Sequence, residues 1–181
     1  MQDRLQLMKD VAAWKHARNA PVVDAEREQQ VLEVTVQEAS ELGIEAASAR
    51  RLFSLQIRLA VRVQESLISG WRSGTAPPQD LRDLSGQLRP QLDRLGIELL
   101  RSIYLALPEF QRADFAARYT SYAKIVEAPG LTDSDRGELA NALGSLRRGS
   151  TPTLSRIRAS KVLRIGTIWR SEERRVGKEC R

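Results

Sequence analysis

The chain has very little with which to do thiol, metal or redox chemistry. Its 181 residues include one cysteine, Cys180, and one histidine, His16. A single cysteine excludes an internal disulfide and leaves both reducing and oxidising compartments open. One histidine and one thiol beside the chain end cannot build a metal cluster, so no metal is expected. Serine, cysteine and histidine are nowhere grouped as a nucleophile with its base, and no glycine-rich phosphate loop is present. No run of about 18 apolar residues exists, which excludes a helical membrane span. Aromatic residues make up 5% of the chain and glycines number 11. With Leu, Ala, Arg, Gln and Glu dominant, that scarcity predicts an all-α protein of one domain. The net charge is +6. It is dispersed among acidic residues instead of gathered into a basic arm, so an anionic small molecule fits better than nucleic acid.

What is present is a set of amphipathic helices. Residues 1–19 read as one helix, or the end of a longer one, broken at Ala20-Pro21. Nothing before Arg4 caps it and no export leader precedes it, so the expectation is an internal or truncated start. Asp24 caps a second helix, with Glu26 and Glu28 in its first turn; it runs to about Leu42 and ends at Gly43. A third spans about 45–69. Its inward face is Ala49, Leu52, Phe53, Gln56, Ile57 and Ala60, continuing through Val63, Gln64 and Leu67. A loop over 70–78 leads to a fourth helix, about 81–107, with Pro90 as a kink or restart. Pro108 is expected to open a fifth over 109–125. Thr132 to Asp135 caps a sixth, ending near Leu146, and 147–152 read as a linker with Arg147 and Arg148 solvated.

Charged and polar residues that a plain bundle does not need gather in the first 64 positions. Arg4 and Lys15 are eleven residues apart, which at ~100° per residue is three turns with about 20° left over. Met8 and Val11 lie between them on that face, so the two cations look inward and require an anion. Asp24, Arg27 and Glu28 stand at i, i+3 and i+4 after the Pro21 turn. Gln64 is a polar amide in an apolar stripe, which implies a partner. His16 adjoins Lys15 but points about 100° away. Trp14 and Trp71 read as packing. The pattern describes a site that works by electrostatics and shape, with no cofactor.

Three segments carry a resemblance. Met8-Lys-Asp-Val-Ala-Ala-Trp-Lys15, Pro21-Val-Val-Asp-Ala-Glu-Arg-Glu28 and Arg51-Leu-Phe-Ser-Leu-Gln-Ile-Arg58 resemble the all-helical, type II (AroQ-class) chorismate mutases, in spacing most like the secreted gamma subclass. The resemblance covers roughly residues 2–148. It implies a six-helix bundle that converts chorismate to prephenate without cofactor or covalent intermediate, in the periplasm or outside the cell. It also implies roles. Lys15 and Gln64 would donate to the ether oxygen, Arg4 would bind a carboxylate with Arg27 in support, and Glu28 would accept from the substrate hydroxyl with Asp24 nearby. Members of the subclass can carry Glu at the position of Gln64. Gln donates at any pH, so a flat rate from pH 5 to 8 is expected. Ala60 stands where the family often has a hydroxyl, so that contact is lost or made by backbone. An Arg from a late helix can bind the second carboxylate. Gapless alignment puts Glu98 there, with Arg94 one turn earlier and Arg101 about one turn later; either could substitute. The competing readings are a helical module that binds an acidic partner and a pseudo-enzyme that binds prephenate. A homodimer is left open.

The C-terminal stretch is expected to lie outside this domain. Residues 154–167 resemble the opening of periplasmic solute-binding-type domains, which include cyclohexadienyl dehydratases, so 149–169 read as a linker and the start of a fused, dehydratase-like domain. Residues 170–181 resemble the translation of a sequencing adapter. They carry five basic and three acidic residues, so without them the net charge falls from +6 to +4.

Overall fold

A computed structural model describes residues 1–150 except 113, 116–117 and 120–125. The described part is all-α, as the composition predicts. Its elements are α1 (Gln2–Gln6), α2 (Met8–Ala17), α3 (Ala25–Glu41), α4 (Ala46–Arg72), a π-helical turn (Leu84–Leu88), α5 (Arg89–Phe110) and α6 (Asp133–Gly144). No described helix is long and apolar enough to cross a membrane.

The first predicted helix is a rod with a joint. Leu7 keeps helical angles, and its N–H still reaches Asp3 O at 3.3 Å, but it separates α1 from α2. Asp24 caps α3 as predicted. Its side chain accepts from Arg27 N–H at 3.1 Å, while Glu28 Oε1 accepts from Asp24 N–H at 3.2 Å. At the other end Ile44 N–H bonds Ala39 O and Gly43 N–H bonds Ser40 O. This paired closure needs Gly43 at φ 83°, which a residue without Cβ adopts freely.

The long helix α4 is the spine. It packs against α2 and α3 on one side and α6 on another. Leu52, Leu59 and Val63 are almost wholly buried with Leu88, Leu100, Leu107 and Leu139 from later elements. The core is thus mostly aliphatic, with Phe53 as its buried aromatic in the main cluster, which suits a chain poor in aromatics. Arg62 of α4 pairs with Asp135, which is 2% exposed and also accepts from Thr132 N and Oγ1 at 2.8 Å. A buried carboxylate with this many donors is fully satisfied, and its proton affinity lies below the ordinary carboxylate range.

Three expectations are corrected. The fourth helix does not start near Leu81: the α-helix begins at Arg89, preceded by the π-helical turn, and Pro90 occupies its first turn, where its missing N–H costs no bond. Pro108 does not open a new helix but lies in the last turn of α5, which continues to Phe110. It removes one bond, to the exposed Tyr104 turn. Most of the predicted fifth helix, 109–125, lies outside the described residues; Phe115, Arg118 and Tyr119 are helical. Arg147 and Arg148 do not form a free linker. Arg148 bridges Ile44, and Arg147 O accepts from Glu45 N–H at 2.9 Å. The predicted linker beyond 150, the strand near 162–165 and the tail at 170–181 lie outside the described residues.

Candidate active site

A cavity of about 210 Å³ opens among α1, α2, α3, α4 and α5. Arg4, Lys15, Asp24, Arg27, Glu28, Ala60 and Gln64 all line it. The helical registers account for this. Arg4, Met8, Val11 and Lys15 follow one face of α1–α2, with Leu7 too slight a joint to turn it. Asp24, Arg27, Glu28, Val31, Thr35 and Glu38 follow one face of α3. Gln56, Ala60 and Gln64 recur every four residues on α4.

Two of the sequence candidates are not there. Arg94 and Arg101 are exposed and line no part of the cavity. The face of α5 that does so carries Arg89, Leu92, Asp93 and Gly96, at i, i+3, i+4 and i+7. Arg94 is rotated about 140° from Arg89 and Arg101 about 120°, so neither can share that face. Sequence reading missed Arg89, Asp93, Thr35 and Glu38. For Arg89, the signal was its place at the start of α5, in register with Gly96. For Glu38, it was the face already marked by Arg27 and Val31.

Arg4 Nη1 donates to Leu92 O at 2.9 Å. A Cβ on residue 96 would stand 3.1 Å from that same Nη1, so Gly96 gives the guanidinium its room. Burial lowers the proton affinity of Arg4, with nearby Asp93 acting against that; an arginine so placed stays charged and is poorly solvated, ready for an anion. Lys15 Nζ donates to Val22 O at 2.6 Å. Burial pulls its pKa below the usual lysine range, Asp24 and Glu28 hold it up, and Arg89 pulls it down. Arg89 therefore stands close enough to Lys15 for their charges to be felt. Gln64 is 5% exposed; its Nε2 donates to Ala60 O at 3.1 Å and lies 3.5 Å from Met8 Sδ, while its Oε1 is buried without a partner among the described residues. The backbone of Ala60, not its side chain, is thus its polar contribution. Gln56 Nε2 is also buried without a partner. Buried amide groups left unmatched cost roughly 1–3 kcal/mol each, which a ligand can recover. Arg27 Nη1 bonds Gln30 Oε1 at 3.3 Å.

The tryptophans pack, as expected. Trp71 joins Ala12, Ala13 and Ile68, with the His16 ring tilted against it at 5.6 Å between centroids, and Arg18 lies 4.4 Å over the ring of Trp14. Neither tryptophan lines the cavity.

The fold and the cavity define a class: a helical bundle with a small cavity lined by cations, carboxylates and neutral amides. Residues 1–65 match the family model Chorismate mutase type II. A chorismate mutase of known structure from Burkholderia phymatum is 30% identical, with a TM-score of 0.71 over 79% of this chain and 90% of that one. A monofunctional chorismate mutase from Enterobacter agglomerans is 28% identical over 150 residues, 82% of this chain and 80% of the relative. A secreted chorismate mutase from Yersinia pestis is 26% identical over 138 residues, 75% of this chain and 72% of the relative. The chain belongs to the chorismate mutase type II family.

Proposed function

We propose that this cavity rearranges chorismate to prephenate and that Lys15 and Gln64 are the donors to the ether oxygen. The reaction is an intramolecular Claisen rearrangement: the ether C–O bond breaks as a C–C bond forms, and no atom enters or leaves. Negative charge grows on the departing oxygen. Donors aimed at it therefore bind the transition state more tightly than the ground state. Lys15 comes from α2 and Gln64 from α4, and the presence of both on one cavity is the observation that carries the reading.

The substrate is a dianion. Arg4 takes one carboxylate, with Arg27 adding to the same field, and Arg89 takes the other in place of Arg94 or Arg101. Bidentate guanidinium contacts suit both. Glu28 accepts from the ring hydroxyl, and Asp24 fixes the turn that presents it. Closing the flexible substrate into its reactive chair adds rate without further chemistry.

Lys15→Ala tests the assignment. Chorismate consumption, followed by its absorbance, should fall about 10²–10³-fold, as for loss of one oxyanion donor, while circular dichroism shows the helices intact. Turnover that survives the change with the fold retained would sink it.

The likeness to the Yersinia pestis relative, which is named as secreted, supports export. The mutase domain is assigned to residues 1–148. The segment at 154–167 supports a fused dehydratase-like domain, and 170–181 is assigned to an adapter-derived tail. Reading the gene through the codons for Trp169 and Arg170 tests both.

A further inference from the structure

We propose that Glu38 sets the pH range over which the cavity accepts a dianion: neutral it is a polar wall, ionised it opposes the substrate carboxylates. The inference rests on the chorismate reading of the same cavity. Glu38 lines the cavity from α3, two turns beyond Val31 on the face that carries Arg27 and Glu28. No role in the rearrangement requires a carboxylate there.

Its surroundings favour the neutral form. On its own helix the nearest charge is Glu41, and across from it on α5 is Asp93. Every cavity-lining side chain of α4 is uncharged, from Gln56 to Gln64, so α4 brings no cation to the lining. Among the described residues the cations of the lining are Arg4 from α1, Lys15 from α2, Arg27 from α3 and Arg89 from α5. Asp93 is the charge felt by both Arg4 and Glu38. Burial, then Glu41 and Asp93, raise the Glu38 carboxyl from its ordinary value of 4.5 to about 7.

The sign follows directly. A carboxyl with a raised pKa favours the fold while protonated, and that advantage is lost as pH rises from 4.5 through 7. As pH passes through about 7 the cavity gains a negative charge, while the substrate is already fully ionised. Affinity for the dianion must fall, and the chemical step, which depends on Lys15 and Gln64, need not change.

The experiment measures kcat and KM for chorismate from pH 5.5 to 8.5 at constant ionic strength, in the unaltered protein and in Glu38→Gln. The expected result is a KM that climbs on the order of three- to tenfold through pH 7 in the unaltered protein, more at low salt, with kcat level. Glu38→Gln should keep the low KM throughout. A flat KM in the unaltered protein, or a climb that persists in Glu38→Gln, overturns the proposal. A protein without turnover defeats the reading of function instead; calorimetric binding of prephenate across the same pH range then carries the test, with the same two outcomes. Carbon-13 NMR titration of the glutamate carboxyls needs no variant, and a Glu38 carboxyl that titrates in the ordinary range also overturns it.

Discussion

Arg89 and Arg94 stand five residues apart on α5, and only Arg89 reaches the cavity. A motif comparison cannot distinguish them, because an arginine near the right place satisfies the pattern whichever way it points. Only the helix start fixes the phase, and the π-helical turn before Arg89 adds an offset that a 3.6-residue period does not contain. Arg4 with Lys15 and Arg27 with Glu28 were legible for the opposite reason: each pair lies along one helical face, where spacing determines direction, and Gln64 stood out as an amide in the apolar stripe of α4. Arg89→Ala should raise KM for chorismate by about tenfold or more, the order expected for a charge-assisted carboxylate contact. Arg94→Ala should leave both constants near their original values. Steady-state kinetics on the two variants checks this, and equal effects would remove Arg89 from the carboxylate site.

At the scale of the element, the ends of helices were easier to read than their continuations. Asp24 before α3 and Thr132 before α6 both cap as their sequences predict, because a short polar side chain before an acidic first turn has one favourable use. The prolines were harder. Pro90 and Pro108 each admit a start, a kink or a tolerated end, and the choice depends on which carbonyl the missing N–H would have met. Thr132 closes a reciprocal cap with Asp135, the residue that also holds Arg62 of α4. Thr132→Ala should therefore lower stability by about 1–2 kcal/mol, at or above the typical cap value, read from the urea midpoint. Loss of only a few tenths would mean that Arg62 alone orders Asp135.

For the molecule as a whole, the chain closes on itself where sequence reading saw only a linker. Gly149 N–H bonds Gly43 O at 2.9 Å, and Arg147 N–H bonds Ser48 Oγ at 3.2 Å. Non-local backbone pairing of this kind leaves no periodic trace, since neither partner needs a particular side chain. A chain ended after Ser150 keeps every one of these bonds. It should show the same thermal midpoint and chorismate turnover as the full 181 residues, and a loss in either would move the domain boundary further along the chain.

Both proposed ether donors are held by main-chain oxygens: Lys15 by Val22 and Gln64 by Ala60. A carbonyl is present whatever side chain the residue carries. Positions 22 and 60 can thus drift through many amino acids without moving either donor, provided the backbone keeps its path. An alanine at position 60 is then a neutral neighbour to chemistry that lies elsewhere. The same arrangement gives the pocket latitude to evolve its walls, and with them its choice of ligand, while the reacting centre stays where it is.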